Sequence, residues 1–253
     1  MQRSSFYHPA ALLGNPRLGA ARELMMSQSQ AGRVVSCLRF AVTPAFAALL
    51  TLVATAAYAA LHSWLASLPA KARIRRLAGA SGERFYRLGY NVIGALTLLP
   101  LLAIPAIQPG PVLYVVPSPV SWLFLAGQAT AVIVVVAVLL QTDVWHFLGL
   151  RQVAEDSGDR PARFVTSGLY RYVRHPLYSA ALAFLWLTPW MTTTLIVLYA
   201  GLSLYLYVGS LFEERRLQVE FGQAYVDYQQ RVPRLVPRLW PHRGGLTRRD
   251  SLP

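Results

Sequence analysis

Apolar residues gather along this chain into long stretches that short polar segments separate. The first stretch covers about Leu38–Leu61, the second Tyr86–Ile107 and the third Val120–Gln141. Each contains about the 20 residues that an α-helix needs to cross the hydrocarbon core of a membrane. Pro100 and Pro105 lie inside the second stretch, and an internal proline kinks or ends a helix. The pattern therefore predicts three membrane helices, the second of them kinked or ended by its prolines.

The fourth apolar region, residues 177–212, is too long for one membrane helix. As a straight helix it would measure roughly 52 Å, against a hydrocarbon core of about 30 Å. A Thr188-Pro189 step interrupts the region and indicates where the chain folds back. We expect a hairpin with a short helix over 176–187, a turn over 189–193 and a longer helix that ends near Phe212. The two ends of this hairpin return to one face, where His175 and Glu214 can meet.

A helical pattern of a different kind follows the hairpin. Leu217, Phe221, Tyr225 and Tyr228 fall on one helical face, which predicts an amphipathic helix lying on the bundle or at the membrane interface. The predicted fold class is therefore all-α integral membrane: about five membrane helices, the last two a helical hairpin, plus a C-terminal amphipathic helix. We expect three regions in the chain: a disordered basic extension over 1–37, a single membrane domain over 38–240 and a disordered tail over 241–253.

Composition supports a membrane protein and argues against two other classes. Hydrophobic residues make up 55% of the chain and charged residues 14%, whereas a soluble domain carries about 25% charged residues. The net charge of +13 comes almost wholly from arginine. Most of these arginines lie beside apolar segments, where they indicate membrane topology and contact with anionic lipids rather than nucleic-acid binding. The sole cysteine, Cys37, excludes an intrachain disulfide and a multi-cysteine metal site.

The distribution of basic residues also predicts an orientation. Residues 62–87 hold six lysines and arginines against one acid, Glu83, whereas residues 108–119 hold no charge. The positive-inside rule places the first of these loops in the cytoplasm and the second outside. Five membrane segments then place the 142–175 loop and the C-terminal tail in the cytoplasm. We therefore expect the ends of the last apolar region, which adjoin that loop and that tail, to face the cytoplasm.

Two short charged elements flank the hairpin and form the candidate site. The first is Arg174-His175-Pro176-Leu177-Tyr178, and the second is Glu213-Glu214. Charge at a membrane-embedded position is costly and usually has a use. Pro176 favours a helix start, which places His175 at the mouth of the first hairpin helix with Arg171 and Arg174 nearby. Cations facing a carboxylate pair suit a zwitterionic ligand such as S-adenosylmethionine; the alternative is a juxtamembrane basic cluster and a solvated helix end.

Several motifs together resemble one protein family. They are the RHPxY element at 174–178, an apolar hairpin, Glu213-Glu214, the FGxxYxxY run at 221–228 and Arg231-Val232-Pro233. This set is similar to the isoprenylcysteine carboxyl methyltransferase and phospholipid methyltransferase superfamily, and most resembles its bacterial methanethiol S-methyltransferase and NnrU-type branch. Many relatives have glycine two residues after the motif tyrosine, where this chain has Ala180.

The resemblance implies a membrane methyltransferase that uses S-adenosylmethionine and no metal. In this chain it implies that His175, Pro176, Tyr178, Glu213 and Glu214 frame the cofactor. It also implies a role for Arg231 in orienting the substrate or capping the site. With Arg171 and Arg174 these residues make up the predicted cofactor site, and we expect His175 and Arg231 to serve catalysis.

Three functions stay open from the sequence. The first is methyl transfer from S-adenosylmethionine to a small thiol, such as methanethiol, giving dimethyl sulfide. The second keeps the donor but has a lipid-like acceptor, either a prenylcysteine carboxylate or a headgroup. The third is a non-catalytic NnrU-like membrane protein. A transporter is disfavoured because no span carries a charge at its middle. A metal site built from His62, His146 and His175 is also disfavoured, because their spacing does not match a metal-ligand signature.

Overall fold

The computed structural model describes residues 43–141, 144–155 and 164–238. Its helices are α1 (Pro44–Ala66), α2 (Leu68–Ile107), α3 (Val120–Gln141), α4 (Val144–Leu148), α5 (Leu150–Glu155), α6 (Pro176–Trp186), α7 (Thr193–Phe221) and α8 (Gln223–Arg231). A 3₁₀ turn spans Gly168–Arg171, and two short strands are β1 (Val112–Val115) and β2 (Trp190–Thr192). The predicted extension 1–37 and tail 241–253 lie outside the described residues and stay predictions.

Four of these helices, α1, α2, α3 and α7, are long and apolar enough to cross a membrane. The predicted all-α membrane class is thereby confirmed, and the protein is an integral membrane protein by the length and composition of its helices. The predicted five membrane helices correspond to these four and to α6, which has only 11 residues. Helix α1 packs against α2 and α7, and α3 packs against α6.

Helix α2 is longer than predicted, because it begins at Leu68 rather than near Tyr86. The additional turns are rich in alanine, leucine and arginine, which favour helix regardless of hydropathy. Ser67 caps the start by accepting a hydrogen bond from the backbone N–H of Ala70. Gly79, at φ 60°, breaks the helical geometry within the element.

Helix α7 also extends beyond its predicted end at Phe212 and reaches Phe221. The prediction that Glu213 and Glu214 end this helix is therefore wrong. Glutamate, arginine, leucine and glutamine are good helix formers, so the helix continues after the apolar segment stops. It ends at Gly222, whose φ of 56° a residue with a side chain rarely adopts. The predicted C-terminal amphipathic helix is thus divided at Gly222 into the last turns of α7 and the separate helix α8.

The predicted hairpin forms, with a first arm that matches α6 closely. Its turn contains β2, which pairs antiparallel with β1 from the loop after α2. The backbone N–H of Thr193 extends this pairing by donating to the carbonyl of Pro111 at 3.0 Å. The hairpin turn therefore lies at the same end of the bundle as the uncharged 108–119 loop. The opposite end holds the α1–α2 connection, the start of α6 and the acidic pair of α7.

Candidate active site at the open end of the hairpin

The start of α6 is held beside the chain that follows α8. His175 is the N-cap residue of α6 and Pro176 its first helical residue, as the sequence predicts. The backbone N–H of Arg174 donates to the carbonyl of Pro233 at 2.9 Å, and that of His175 donates to the carbonyl of Arg234 at 3.2 Å. The RHPxY element and the segment after Arg231-Val232-Pro233 are thus fixed next to each other by backbone hydrogen bonds.

Glu214 is buried and has a partner on each face of its carboxylate. Its Oε1 lies 3.2 Å from His175 Nε2 and 3.0 Å from Arg174 Nε. Its Oε2 accepts hydrogen bonds from Arg234 Nη2 at 2.8 Å and from Gln229 Nε2 at 3.0 Å. The side chain is only 4% exposed. Glu214 therefore joins α7 to the start of α6, to α8 and to the segment after it.

Glu213 differs from its neighbour in having an accessible carboxylate. Its side chain is 40% exposed, and Oε2 lies 3.5 Å from His175 Nδ1. The Tyr178 hydroxyl lies beside the same carboxylate. The Tyr178 ring also stacks on the His175 imidazole, with centroids 5.3 Å apart and planes inclined by 5°. His175 thus lies between the two carboxylates, one saturated by protein groups and one with capacity for a further partner.

A cavity of about 400 Å³ opens beside Glu214. Leu211 and six polar residues line it: Arg174, Glu214, Arg215, Gln218, Gln229 and Arg234. The Nε atoms of Arg174 and Arg234 are buried, and neither donates a hydrogen bond of good geometry. Arg174 Nε nevertheless forms the ion pair with Glu214. Guanidinium groups that line a cavity favour an anionic ligand group.

The cluster below the site is aromatic. Tyr225, Tyr228 and Val232 are buried together, with Leu217, Phe221 and Phe164 packed against them. The Tyr228 hydroxyl donates to the carbonyl of Tyr170 at 2.6 Å. Burial raises the pKa of both Tyr225 and Tyr228, and the Glu214 carboxylate raises that of Tyr225 further. The predicted apolar face of residues 217–228 therefore packs the C-terminal segment onto the hairpin.

The predicted site residues fall into two groups. The structure brings Arg174, His175, Pro176 and Tyr178 to the acidic pair, but it does not bring the other two predicted residues there. Arg171 is exposed in the 3₁₀ turn. The Arg231 Nε donates to the carbonyl of Asp227 in its own helix at 3.1 Å.

Sequence reasoning missed two residues of this site, Gln229 and Arg234. Both bind Glu214 directly. Their position next to the Arg231-Val232-Pro233 element was the available signal, but nothing in the spacing distinguishes Arg234 from Arg231. Among the described side chains, no three potential metal ligands come together.

Comparisons with known proteins give a consistent set of relatives. Methanethiol S-methyltransferase 2 of Bradyrhizobium diazoefficiens is 35% identical over 151 residues, covering 54% of this chain and 57% of that protein. Methanethiol S-methyltransferase of Mycobacterium tuberculosis is 36% identical over 124 residues, 48% of each chain. Protein-S-isoprenylcysteine O-methyltransferase B of Arabidopsis thaliana is 33% identical over 84 residues, 30% of this chain and 40% of that protein.

These matches confirm the resemblance to the isoprenylcysteine carboxyl methyltransferase-like superfamily that the sequence motifs indicate. The matched region spans about half the length of the curated methanethiol S-methyltransferases. No family model matches the chain, and no solved structure matches it.

Proposed function

We propose that this protein is a membrane methyltransferase that transfers the methyl group of S-adenosylmethionine to a small thiol. The observation that carries the proposal is the meeting of His175 with Glu213 and Glu214, although His175 and Glu214 are 39 residues apart in the chain. The names of the relatives support the reaction type and favour a thiol such as methanethiol as acceptor, giving dimethyl sulfide.

The residues present fit the polar groups of the donor. S-adenosylmethionine carries a carboxylate, an ammonium, ribose hydroxyls and a positively charged sulfonium. Arg174 and Arg234 line the cavity, and their guanidinium groups suit the carboxylate. Glu213 has the accessible carboxylate that suits the ammonium or the ribose hydroxyls. Glu214 already has four protein partners, so its role is to hold Arg174, His175 and Arg234 in place.

The chemistry requires little of the protein beyond alignment. When bound, the donor supplies a methyl group activated by the sulfonium charge. The protein has to hold donor and acceptor in line and to keep water from the reacting atoms. The acceptor thiol must lose its proton, because the thiolate is the nucleophile. His175 is held between two carboxylates and stacked on Tyr178, an arrangement that favours orienting the donor over moving a proton.

The proposed location is the bacterial inner membrane, with the site facing the cytoplasm. The site lies at the end of the bundle that carries the α1–α2 connection. Lys71, Arg73, Arg75 and Arg76 follow that connection, and the positive-inside rule places such a cluster in the cytoplasm. S-adenosylmethionine is then available to the site directly.

The test is transfer of labelled methyl from S-adenosylmethionine by purified protein, with a panel of acceptors. Methanethiol should be methylated, and a prenylcysteine analogue and phospholipid vesicles should not. Transfer only to the prenylcysteine or the lipid would show that the acceptor is lipid-like and not a small thiol. Binding of the donor without transfer to any of the three would contradict the proposed reaction. Absence of both binding and transfer would favour a non-catalytic NnrU-like protein.

A further inference from the structure

A histidine and two tyrosines meet between three membrane helices, next to the site but outside its charged cluster. His62 comes from α1, Tyr90 from α2 and Tyr205 from α7. The His62 Nδ1 lies 2.5 Å from the Tyr205 hydroxyl and 3.1 Å from the Tyr90 hydroxyl. All three side chains are partly accessible rather than sealed. We call these three residues the His62 cluster.

The imidazole of the His62 cluster is held in one orientation. The Tyr58 ring stacks on it, with centroids 5.5 Å apart and planes inclined by 20°. The Tyr90 ring lies against it at a centroid distance of 4.6 Å. On α2 the ring contacts Gly94, where an added Cβ would come within 3.1 Å of His62 Cδ2 and Nε2. Nδ1 is thereby directed at the two hydroxyls.

Placing the polar groups of the His62 cluster between membrane helices costs free energy. Imidazole and phenol groups within membrane spans require partners, and such residues commonly mark functional sites. The titratable groups that face His62 are Tyr58 from α1, Tyr90 from α2 and Tyr205 from α7, all neutral hydroxyls. Helix α1 needs no imidazole to pack on α7, because it already does so through the close approach of Thr55 to Gly201.

Tyr178 connects the His62 cluster to the charged site. It stacks on His175 and lies beside Glu213, and it interacts electrostatically with Tyr90 and Tyr205. Tyr178 is therefore near both the His62 cluster and the accessible carboxylate of Glu213. The donor and the acceptor of a methyl transfer must lie at adjoining positions, so the His62 cluster lies where the acceptor is needed.

We propose that the His62 cluster binds the acceptor thiol and that His62 accepts the thiol proton, an inference that rests on the proposed function. The Tyr205 hydroxyl takes the proton from the thiol and at the same time gives its own proton to His62 Nδ1. The thiol sulfur then uses its electron pair to form the new bond to the methyl carbon. The electron pair of the broken sulfonium C–S bond stays on the donor's sulfur, so both products are neutral sulfides. The imidazolium returns its proton to water.

The experiment measures thiol methylation by the full-length protein in detergent as a function of pH, with methanethiol and S-adenosylmethionine as probes. The variants are His62→Gln and Tyr205→Phe. Tyr199→Phe is the matched control, because Tyr199 lies on the same helix as Tyr205 and its hydroxyl accepts a hydrogen bond from Thr188 at the hairpin turn. Donor affinity is measured on every variant by calorimetry.

At neutral pH, His62→Gln should lower the rate by about 100-fold, the lower range for loss of an acid–base group. The rate should recover towards that of the unmodified protein as the pH approaches the thiol's own pKa, since the thiol then ionises unaided. Tyr205→Phe should show the same trend with a smaller loss, and both variants should keep their donor affinity.

Two results would overturn the inference. One is a rate loss of equal size at every pH, which a packing role would give; the other is no loss. If His62→Gln does not fold, the pH profile of Tyr205→Phe decides between a role in proton transfer and a role in packing. An unmodified protein that binds no donor would instead contradict the proposed function, so the two failures are distinguishable.

Discussion

Arg234 Nη2 lies 2.8 Å from Glu214 Oε2, and this ion pair fixes the segment after α8 to the middle of the charged cluster. Glu214 is nearly inaccessible, whereas the Arg234 side chain is 28% exposed. The pair therefore joins a partly accessible arginine to the buried carboxylate at the centre of the cluster.

Arg234→Gln should weaken the attachment of the C-terminal segment. The substitution removes a charged partner of a buried carboxylate, and we expect a loss of about 1–3 kcal/mol in the free energy of unfolding. Thermal unfolding in detergent measures it. Arg238→Gln is the control, because among the described residues that exposed side chain donates a hydrogen bond to the carbonyl of Arg231, at 3.4 Å. Equal stability of the two variants would show that the ion pair contributes nothing.

Glu213→Gln and Glu214→Gln should separate binding from stability. Glu213 is accessible, so its substitution should lower donor affinity by more than tenfold and leave the apparent Tm nearly unchanged. Glu214 faces Arg174 and Arg234 in a buried position, so its substitution should cost about 3 kcal/mol of stability. Calorimetric titration and thermal unfolding of both variants give the comparison. The reverse result, in which Glu214→Gln loses donor affinity and Glu213→Gln loses stability, would place the ligand on Glu214.

Stability should fall at alkaline pH because of the buried tyrosines below the site. Burial raises the pKa of Tyr228 and Tyr225 above the unfolded value, which is about 10. Their contribution is therefore fully present below pH ~10 and is lost as the pH rises through the folded pKa values. Tyr228→Phe should lower stability at pH ~8 by about 1–2 kcal/mol, because the carbonyl of Tyr170 loses its donor.

The control for this prediction is the slope of stability against pH. Above pH ~10 the Tyr228→Phe variant should lose stability less steeply than the unmodified protein, since one titrating group is absent. Parallel curves for the two proteins, recorded by thermal unfolding over the same pH range, would exclude Tyr228 as a source of the dependence.

Gly201→Ala tests the contact between α1 and α7. An added Cβ would lie 2.7 Å from the Thr55 methyl group, so the two helices would have to separate. Small residues allow membrane helices to approach closely, and we expect a loss of about 1–3 kcal/mol. Gly209→Ala on the same helix meets nothing within 4 Å and should be neutral or slightly stabilising. A loss of equal size in both variants would show that the close contact at Gly201 is not its cause.

Hydropathy and proline positions predicted much of this fold. They located the membrane helices and the hairpin, because burial in lipid requires long apolar segments whatever the fold. They also predicted that His175 and Glu214 meet, since an apolar stretch longer than the membrane must fold back. Hydropathy failed at the ends of α2 and α7, because it reports membrane depth whereas helix propensity and glycine geometry decide where a helix stops.

Other contacts between distant segments could not be predicted from the sequence. The pairing of β1 with β2 involves residues about 80 apart, and no local pattern specifies such a partner. Arg234 and Arg231 are indistinguishable by type and spacing, yet backbone hydrogen bonds direct only Arg234 to the site. His62 was visible as a polar residue at the end of a span, but its meeting with Tyr90 and Tyr205 depends on how three helices pack.

Calorimetric titration of S-adenosylmethionine into the detergent-purified protein, beside the Glu213→Gln and Arg238→Gln variants, tests the central claim most directly. We predict saturable binding to the unmodified protein and to Arg238→Gln, and loss of binding in Glu213→Gln at an unchanged apparent Tm. Equal binding by all three proteins would contradict the assignment of Glu213. Absence of binding to the folded, unmodified protein would contradict the proposed methyltransferase.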